Sequence, residues 1–129
     1  MEKSDYRVII AGSRDFSDYP LLCTKCDSIL GSRAVSHSIV IVSGQSRGAD
    51  LLGERYAAER GYRVCRYPAD WRGAGRRAGI LRNTLMAENA DALIAFWDGR
   101  SPGTRNMISQ ARRRRLAVRV IDTHSPQTL

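Results

Sequence analysis

The stretch Ile39–Asp50 reads IVIVSGQSRGAD: an apolar, β-branched run, then two glycines, a glutamine, a serine and an arginine, then an amphipathic helical pattern. A turn needs one glycine or two. It does not need an arginine held between Gly44 and Gly48 at the mouth of a helix. Glycines at a strand end let backbone N–H groups approach an anion with no Cβ in the way. A helix starting behind them adds unpaired N–H groups and partial positive charge. The pattern therefore predicts a phosphate cradle. It is neither of the two familiar ones: Gly-x-x-x-x-Gly-Lys-Ser/Thr is absent, and no strand leads into Gly-x-Gly-x-x-Gly.

Related corners recur along the chain. Gly12-Ser13-Arg14-Asp15-Phe16 follows one apolar run, Pro68-Ala69-Asp70-Trp71-Arg72 another, and Trp97–Arg105 (WDGRSPGTR) a third. Ser13, Ser43 and Ser46 have no base in sight and read as hydrogen-bond donors to phosphate. Trp71 and Trp97 fit either a nucleobase to stack on or a core or subunit contact. Arg72, Arg76, Arg77 and Arg82 could cover a pyrophosphate or stay solvated.

Cleavage of an N-glycosidic bond needs an acid or base at the leaving group and a carboxylate beside the cationic centre. Four aspartates follow the strands. Asp15 and Asp98 are the candidate catalytic pair, Asp50 is assigned to capping or orienting its loop, and Asp70 to capping a turn. The histidines, His37 and His124, lie off this edge, so neither a histidine triad nor a histidine metal site is expected. No cofactor is required; Mg2+ bridging a phosphate ligand to an aspartate is compatible with the pattern but not indicated by it.

The elements that position these corners alternate between two periods. Apolar runs at Arg7–Ala11, Ser38–Ser43, Arg63–Tyr67, Ala92–Phe96 and Ala117–Asp122 read as strands buried on both faces. Between them lie helical patterns. Pro20–Gly31 carries Leu22, Cys26, Ile29 and Leu30, with Asp18 as its cap. Ala49–Arg60 carries Ala49, Leu52 and Tyr56, and Gly61 ends it. Ala78–Asn89 carries Ala78, Leu81 and Leu85, and Thr104–Arg115 carries Met107, Ile108 and Ala111. Strand–helix alternation predicts an α/β fold. The expected form is a single Rossmann-like three-layer domain over 1–129, with a parallel five-stranded sheet of order 3-2-1-4-5. Its core covers 7–122 and a polar tail 123–129. Ligands of such sheets sit beyond the strand carboxyl ends where the order reverses, here between strands one and four.

Composition bounds the partners. No apolar run of the 129 residues reaches membrane-spanning length, and no signal-peptide pattern opens the chain, so a cytoplasmic protein without a membrane partner is expected. Cys23, Cys26 and Cys65 do not make a disulfide scaffold, and Cys26 reads as a small buried hydrophobe. The net charge is +8, and of 21 cationic residues only Lys3 and Lys25 are lysines. Arginine suits planar recognition of phosphate or carboxylate, and the basic balance predicts anionic partners, from phosphorylated small molecules to nucleic acid. The run Arg112–Arg115 falls about 15 Å from the phosphate loop, at the far end of its helix. There it complements the helix dipole.

Taken together, VIIAGSRDFSDY, SGQSRGAD, YPADW, AGILRN and SPGTRNMI, in this order and spacing, resemble the YspA-like group of the SLOG superfamily over roughly Arg7 to Asp122. The superfamily also holds the cytokinin-activating phosphoribohydrolases and the DprA proteins. The resemblance implies a Rossmann-like sheet whose loops hold a nucleotide or a nucleotide-derived ligand such as an ADP-ribose derivative, and a homo-oligomer. It places Gly12, Ser13 and Arg14, then Gly44, Arg47, Gly48 and Asp50, then Arg82 and Asn83, then Gly103 and Thr104 at the ligand. Ser43 and Gln45 flank Gly44 where the group commonly has histidine and a glycine pair. The hydrolases follow their phosphate loop with glutamates, and here Asn106 and Met107 stand in that region. Binding of a nucleotide-derived ligand is thus the leading expectation. N-glycosidic hydrolysis and single-stranded DNA binding are the alternatives.

Overall fold

The computed structural model describes residues 3–123; His124 and the rest of the polar tail lie outside them. The strands are β1 (Asp5–Gly12), β2 (Ser38–Ser43), β3 (Arg63–Arg66), β4 (Ala92–Trp97) and β5 (Ala117–Asp122). All pair in parallel, in the order β3-β2-β1-β4-β5. The helices are α1 (Tyr19–Ser36), α2 (Ala49–Arg60), α3 (Trp71–Ala74), α4 (Ala78–Glu88) and α5 (Pro102–Arg113). A parallel neighbour can be reached only by a crossover, and successive crossovers here fall on both faces of the sheet. On one face, Leu22, Cys26 and Leu30 of α1 and Ala49 and Tyr56 of α2 meet Val8, Ile10, Ile41 and Ile94. On the other, Met86 of α4 and Met107, Ile108 and Ala111 of α5 meet Ile9, Val42, Leu93 and Ala95. The result is the expected three-layer α/β fold.

Three expectations are corrected. Burial on both faces holds for β1, β2 and β4 but not for β3 and β5, whose side chains are largely exposed. These are the sheet's edges, and the helices cover only its centre. Helix α1 runs on through Gly31 to Ser36, because Gly31 sits in open space with an ordinary helical backbone and nothing there breaks the ladder. In α4 the buried face is Ala78, Asn83, Met86 and Ala87, whereas Leu81 and Leu85 face outward at 47% and 52% exposure beside Ile80. Asn83 takes the inward position because it holds the start of α5, so the apolar stripe turns away from the sheet.

Asp18 caps α1 as expected, accepting from the Leu21 N–H at 3.1 Å. The Cys26 thiol is fully buried, and burial pushes it up to about 12. His37 lies at the amino end of β2, at the opposite end of the sheet from the glycine corners. No described helix is long and apolar enough to cross a membrane.

Candidate functional site

The corners after β1, β2, β3 and β4 meet at one edge of the sheet, and backbone contact locks the first, second and fourth together. At Gly12 a Cβ would fall 2.2 Å from the Phe96 carbonyl oxygen, and the Ser13 N–H donates to that same oxygen at 3.0 Å. Gly48 has φ +86°, and a Cβ there would fall 2.4 Å from the Ser13 carbonyl oxygen. The two glycines that bracket Arg47 thus serve different ends. Gly48 lets the second loop touch the first, and Gly44 leaves room for Asp50 Oδ2 and Arg82 Nη1, 2.8 and 2.9 Å from where its Cβ would sit.

Several polar residues expected at a ligand instead build these loops. The Ser43 hydroxyl is buried and donates to Glu54 at 2.6 Å, while accepting from the Gln45 N–H at 3.1 Å. Arg66 donates to the other oxygen of Glu54 at 2.9 Å. This support holds Gln45 at φ +64°, a conformation side-chain-bearing residues seldom adopt. Ser13 Oγ, also buried, accepts from the Asp98 N–H at 3.2 Å and lies 3.1 Å from Ser101 Oγ. Asn83 donates to the Gly103 carbonyl at 3.2 Å and to Asn106 at 3.0 Å, pinning the first turn of α5. Trp97 donates to the Ser101 carbonyl at 3.1 Å, so this tryptophan belongs to the loop scaffold.

Asp98 closes the fourth loop on itself. Its carboxylate accepts from the Ser101 and Arg100 N–H groups, both at 2.8 Å, and from the Ser101 hydroxyl at 3.0 Å. Those bonds, the Ser101 N–H foremost, hold its pKa down to about 2. A group so firmly ionised and turned into its own loop is a poor proton donor.

In front of this scaffold lie two adjoining chambers, of ≈ 470 and ≈ 460 Å³. Arg14, Ser46, Arg47 and Arg82 line both, so three guanidiniums form the common wall. The first chamber is completed by Gly44, Gln45, Pro68, Ala69 and Trp71, the last 54% exposed. The second lies at the switch point between β1 and β4, with Gly12, Asp15, Asp50 and the start of α5 in its walls. The first intrahelical bond of α5 comes from the Arg105 N–H to the Ser101 carbonyl, so the Gly103 and Thr104 N–H groups precede the ladder. Pro102 at the first position has no N–H to leave unsatisfied.

Arg14 and Arg47 are exposed, whereas Arg82 is half-buried and bonds to the Gly44 carbonyl and to Asn83 Oδ1. Burial lowers the Arg82 pKa, and Asp50 opposes that shift. Asp50 is 5% exposed and accepts from the Ser46 N–H at 3.3 Å. Burial pushes its carboxyl up to about 6 despite the Ser46 bond, Arg82 and the Gly12 N–H, which all act the other way.

Of the expected ligand residues, Gly12, Arg14, Gly44, Gln45, Arg47, Asp50, Arg82, Gly103 and Thr104 line the chambers, together with Asp15. Ser13, Ser43, Gly48, Asn83 and Asp98 stand behind them as support. Glu54 went unread in the sequence, since a polar residue more than one helical turn past a loop gives no sign of reaching back to it.

A carboxyl group with a raised folded pKa opposes folding once it ionises. The native state holds the Asp50 proton from about 4 to about 6 while the unfolded chain has released it, so stability falls as pH rises through that window. Asp50→Asn should therefore gain on the wild type across it, by on the order of 2–3 kcal/mol at pH 7. Urea unfolding of both proteins at pH 4.5 and 7.5 checks the sign.

A parallel doubly wound sheet with a basic, glycine-lined cleft at its switch point defines a Rossmann-like α/β domain. Within that class the chain belongs to the YspA, cpYpsA-related SLOG family, whose match spans residues 6–73. It is 36% identical over 119 residues to the Gene 61 protein of Mycobacterium phage D29, covering 87% of this chain and 93% of that protein. Its fold is similar to that of DNA processing protein A (DprA) from Streptococcus pneumoniae, with TM-score 0.67, 17% identity and 98% of this chain covered. It is also similar to the Helicobacter pylori DprA, described for its single-stranded DNA binding mode, with TM-score 0.64, 18% identity and 96% covered. The chain spans 52% and 66% of those two proteins. At such identities the likeness is one of fold.

Proposed function

We propose that the double cleft binds a nucleotide or nucleotide-derived ligand, with its phosphates on the shared guanidinium wall and its base over Trp71. One observation carries this reading: Arg14, Arg47 and Arg82 stand between a chamber flanked by an exposed tryptophan and one capped by a helix N-terminus. Guanidiniums and free backbone N–H groups match phosphate oxygens, and an indole face suits any nucleobase. Membership of the SLOG family supports it. Binding without cleavage is favoured, because Asn106 is tied to Asn83 and Met107 is buried in the region where the superfamily's phosphoribohydrolases carry acids. The ligand needs no metal to meet positive charge; Mg2+ would enter only with the phosphate.

Thermal shift with product analysis tests this, using AMP, NAD and ADP-ribose with and without EDTA. A ligand at one hundred times its Kd should add about 2.7 kcal/mol of stability, and it should be recovered intact. Released base would instead mark a hydrolase.

Single-stranded DNA is the second reading, favoured by the exposed Trp71 lying among Arg72, Arg76 and Arg77, all exposed. Binding of oligonucleotides alone, weakening steeply with salt, would support it. The homo-oligomer implied by family resemblance would form over the outward face of Ile80, Leu81 and Leu85.

A further inference from the structure

The second chamber contains a group that a site for bare phosphate should not have. Its walls bring together three guanidiniums and the α5 N-terminus, all favourable to anions, yet Asp50 is sunk among them. A carboxylate there repels phosphate and loses its own hydration. Arg82 attracts it, but the hydrogen bonds of that guanidinium run to Gly44 and Asn83, so Arg82 does not occupy the acceptor positions of Asp50. Nor is the carboxylate an accident of packing, since Gly44 lacks the Cβ that would press on Asp50 Oδ2 and Arg82 Nη1 together. The loop side gives it the Ser46 and Gly12 N–H groups. A carboxylate has about four acceptor positions, so about two remain for donors arriving from the chamber. Phosphates at neutral pH offer few donors, but the vicinal hydroxyls of a ribose offer two, side by side and next to the phosphate.

We propose that Asp50 is the specificity residue of the cleft: its carboxylate accepts hydrogen bonds from the ribose diol of the ligand, so the site takes ribonucleotides and disfavours deoxyribonucleotides and bare phosphates. This assignment rests on reading the cleft as a nucleotide site. It gives the buried acid a use and separates the two readings above, since DNA lacks the hydroxyl that Asp50 would hold. Asp15, the other carboxylate of the chamber, is exposed to solvent and so has no comparable need of donors from a ligand.

The test is calorimetric titration of the wild-type chain and Asp50→Asn with ADP, 2′-deoxy-ADP and inorganic pyrophosphate. A hydrogen bond to a buried charged group is worth about tenfold or more in affinity. The wild type should therefore bind ADP at least about tenfold more tightly than 2′-deoxy-ADP. In Asp50→Asn that ratio should fall to about two or below, while pyrophosphate binds more tightly with the repelling charge gone. Equal wild-type affinity for ADP and 2′-deoxy-ADP would overturn the assignment, and needs no variant to observe. So would a ratio that survives in Asp50→Asn. Pyrophosphate binding without ribose discrimination sinks the role of Asp50 alone; failure to bind any of the three sinks the nucleotide reading with it.

Discussion

Arg47→Ala should weaken nucleotide binding by about a hundredfold and leave the unfolding midpoint nearly unchanged. The guanidinium is exposed, lines both chambers, and has no hydrogen-bond or ion-pair partner among the described residues, so the folded chain loses little with it. A charge-assisted bond is worth about 1.5–3 kcal/mol, and bidentate contact with phosphate lies at the upper end. At about 1.4 kcal/mol per decade, that is on the order of a hundredfold. Arg47→Lys should recover part of it, because a point charge keeps the attraction but loses the fork. Calorimetry against ADP-ribose, with thermal melts alongside, reads both quantities. A variant that binds as well as the wild type would remove Arg47 from the cradle.

The neighbouring glycine should behave in the opposite way. Gly48→Val is expected to lower stability by more than about 4 kcal/mol. A left-handed backbone disfavours any side chain by on the order of 1–3 kcal/mol. A valine would also drive its Cβ to 2.4 Å from the Ser13 carbonyl oxygen and 2.6 Å from that of Arg14. Those atoms are backbone and cannot swing aside, so the first loop must move or the helix mouth must open. For a domain of this size the melting temperature should drop by about 15 °C. Gly31→Ala is the matching control. It sits mid-helix with nothing near its missing Cβ, and should raise stability by about 0.4–1 kcal/mol. A Gly48→Val protein as stable as Gly31→Ala would show that residue 48 tolerates a Cβ.

This contrast shows where sequence reasoning succeeds. The sheet order could be read because Val8–Ala11, Ile39–Val42 and Ala92–Phe96 are apolar without interruption, as strands between two helical layers must be. The gathering of the corners then followed from topology, since in a parallel sheet every strand ends on the same edge. The direction of a polar side chain could not be read in the same way. Ser43 looks like a phosphate donor until its hydroxyl is found on Glu54, and Asp98 like a catalytic acid until it is found bonded to its own loop. Asp50 orients its loop as expected, accepting from the Ser46 N–H, and lines the chamber, but its depth there could not be read from spacing. The two aspartates share one chemistry. Depth and local backbone donors distinguish them, and neither is written in residue spacing.

The cradle is tested most directly by an amide NMR titration with ADP-ribose. The account predicts that the largest shift changes fall together on Arg14, Ser46, Arg47, Gly103 and Thr104, with the Trp71 indole N–H moving alongside. Changes confined to the far end of α5 around Arg112 and Arg113, or to the outward face of α4, would contradict it.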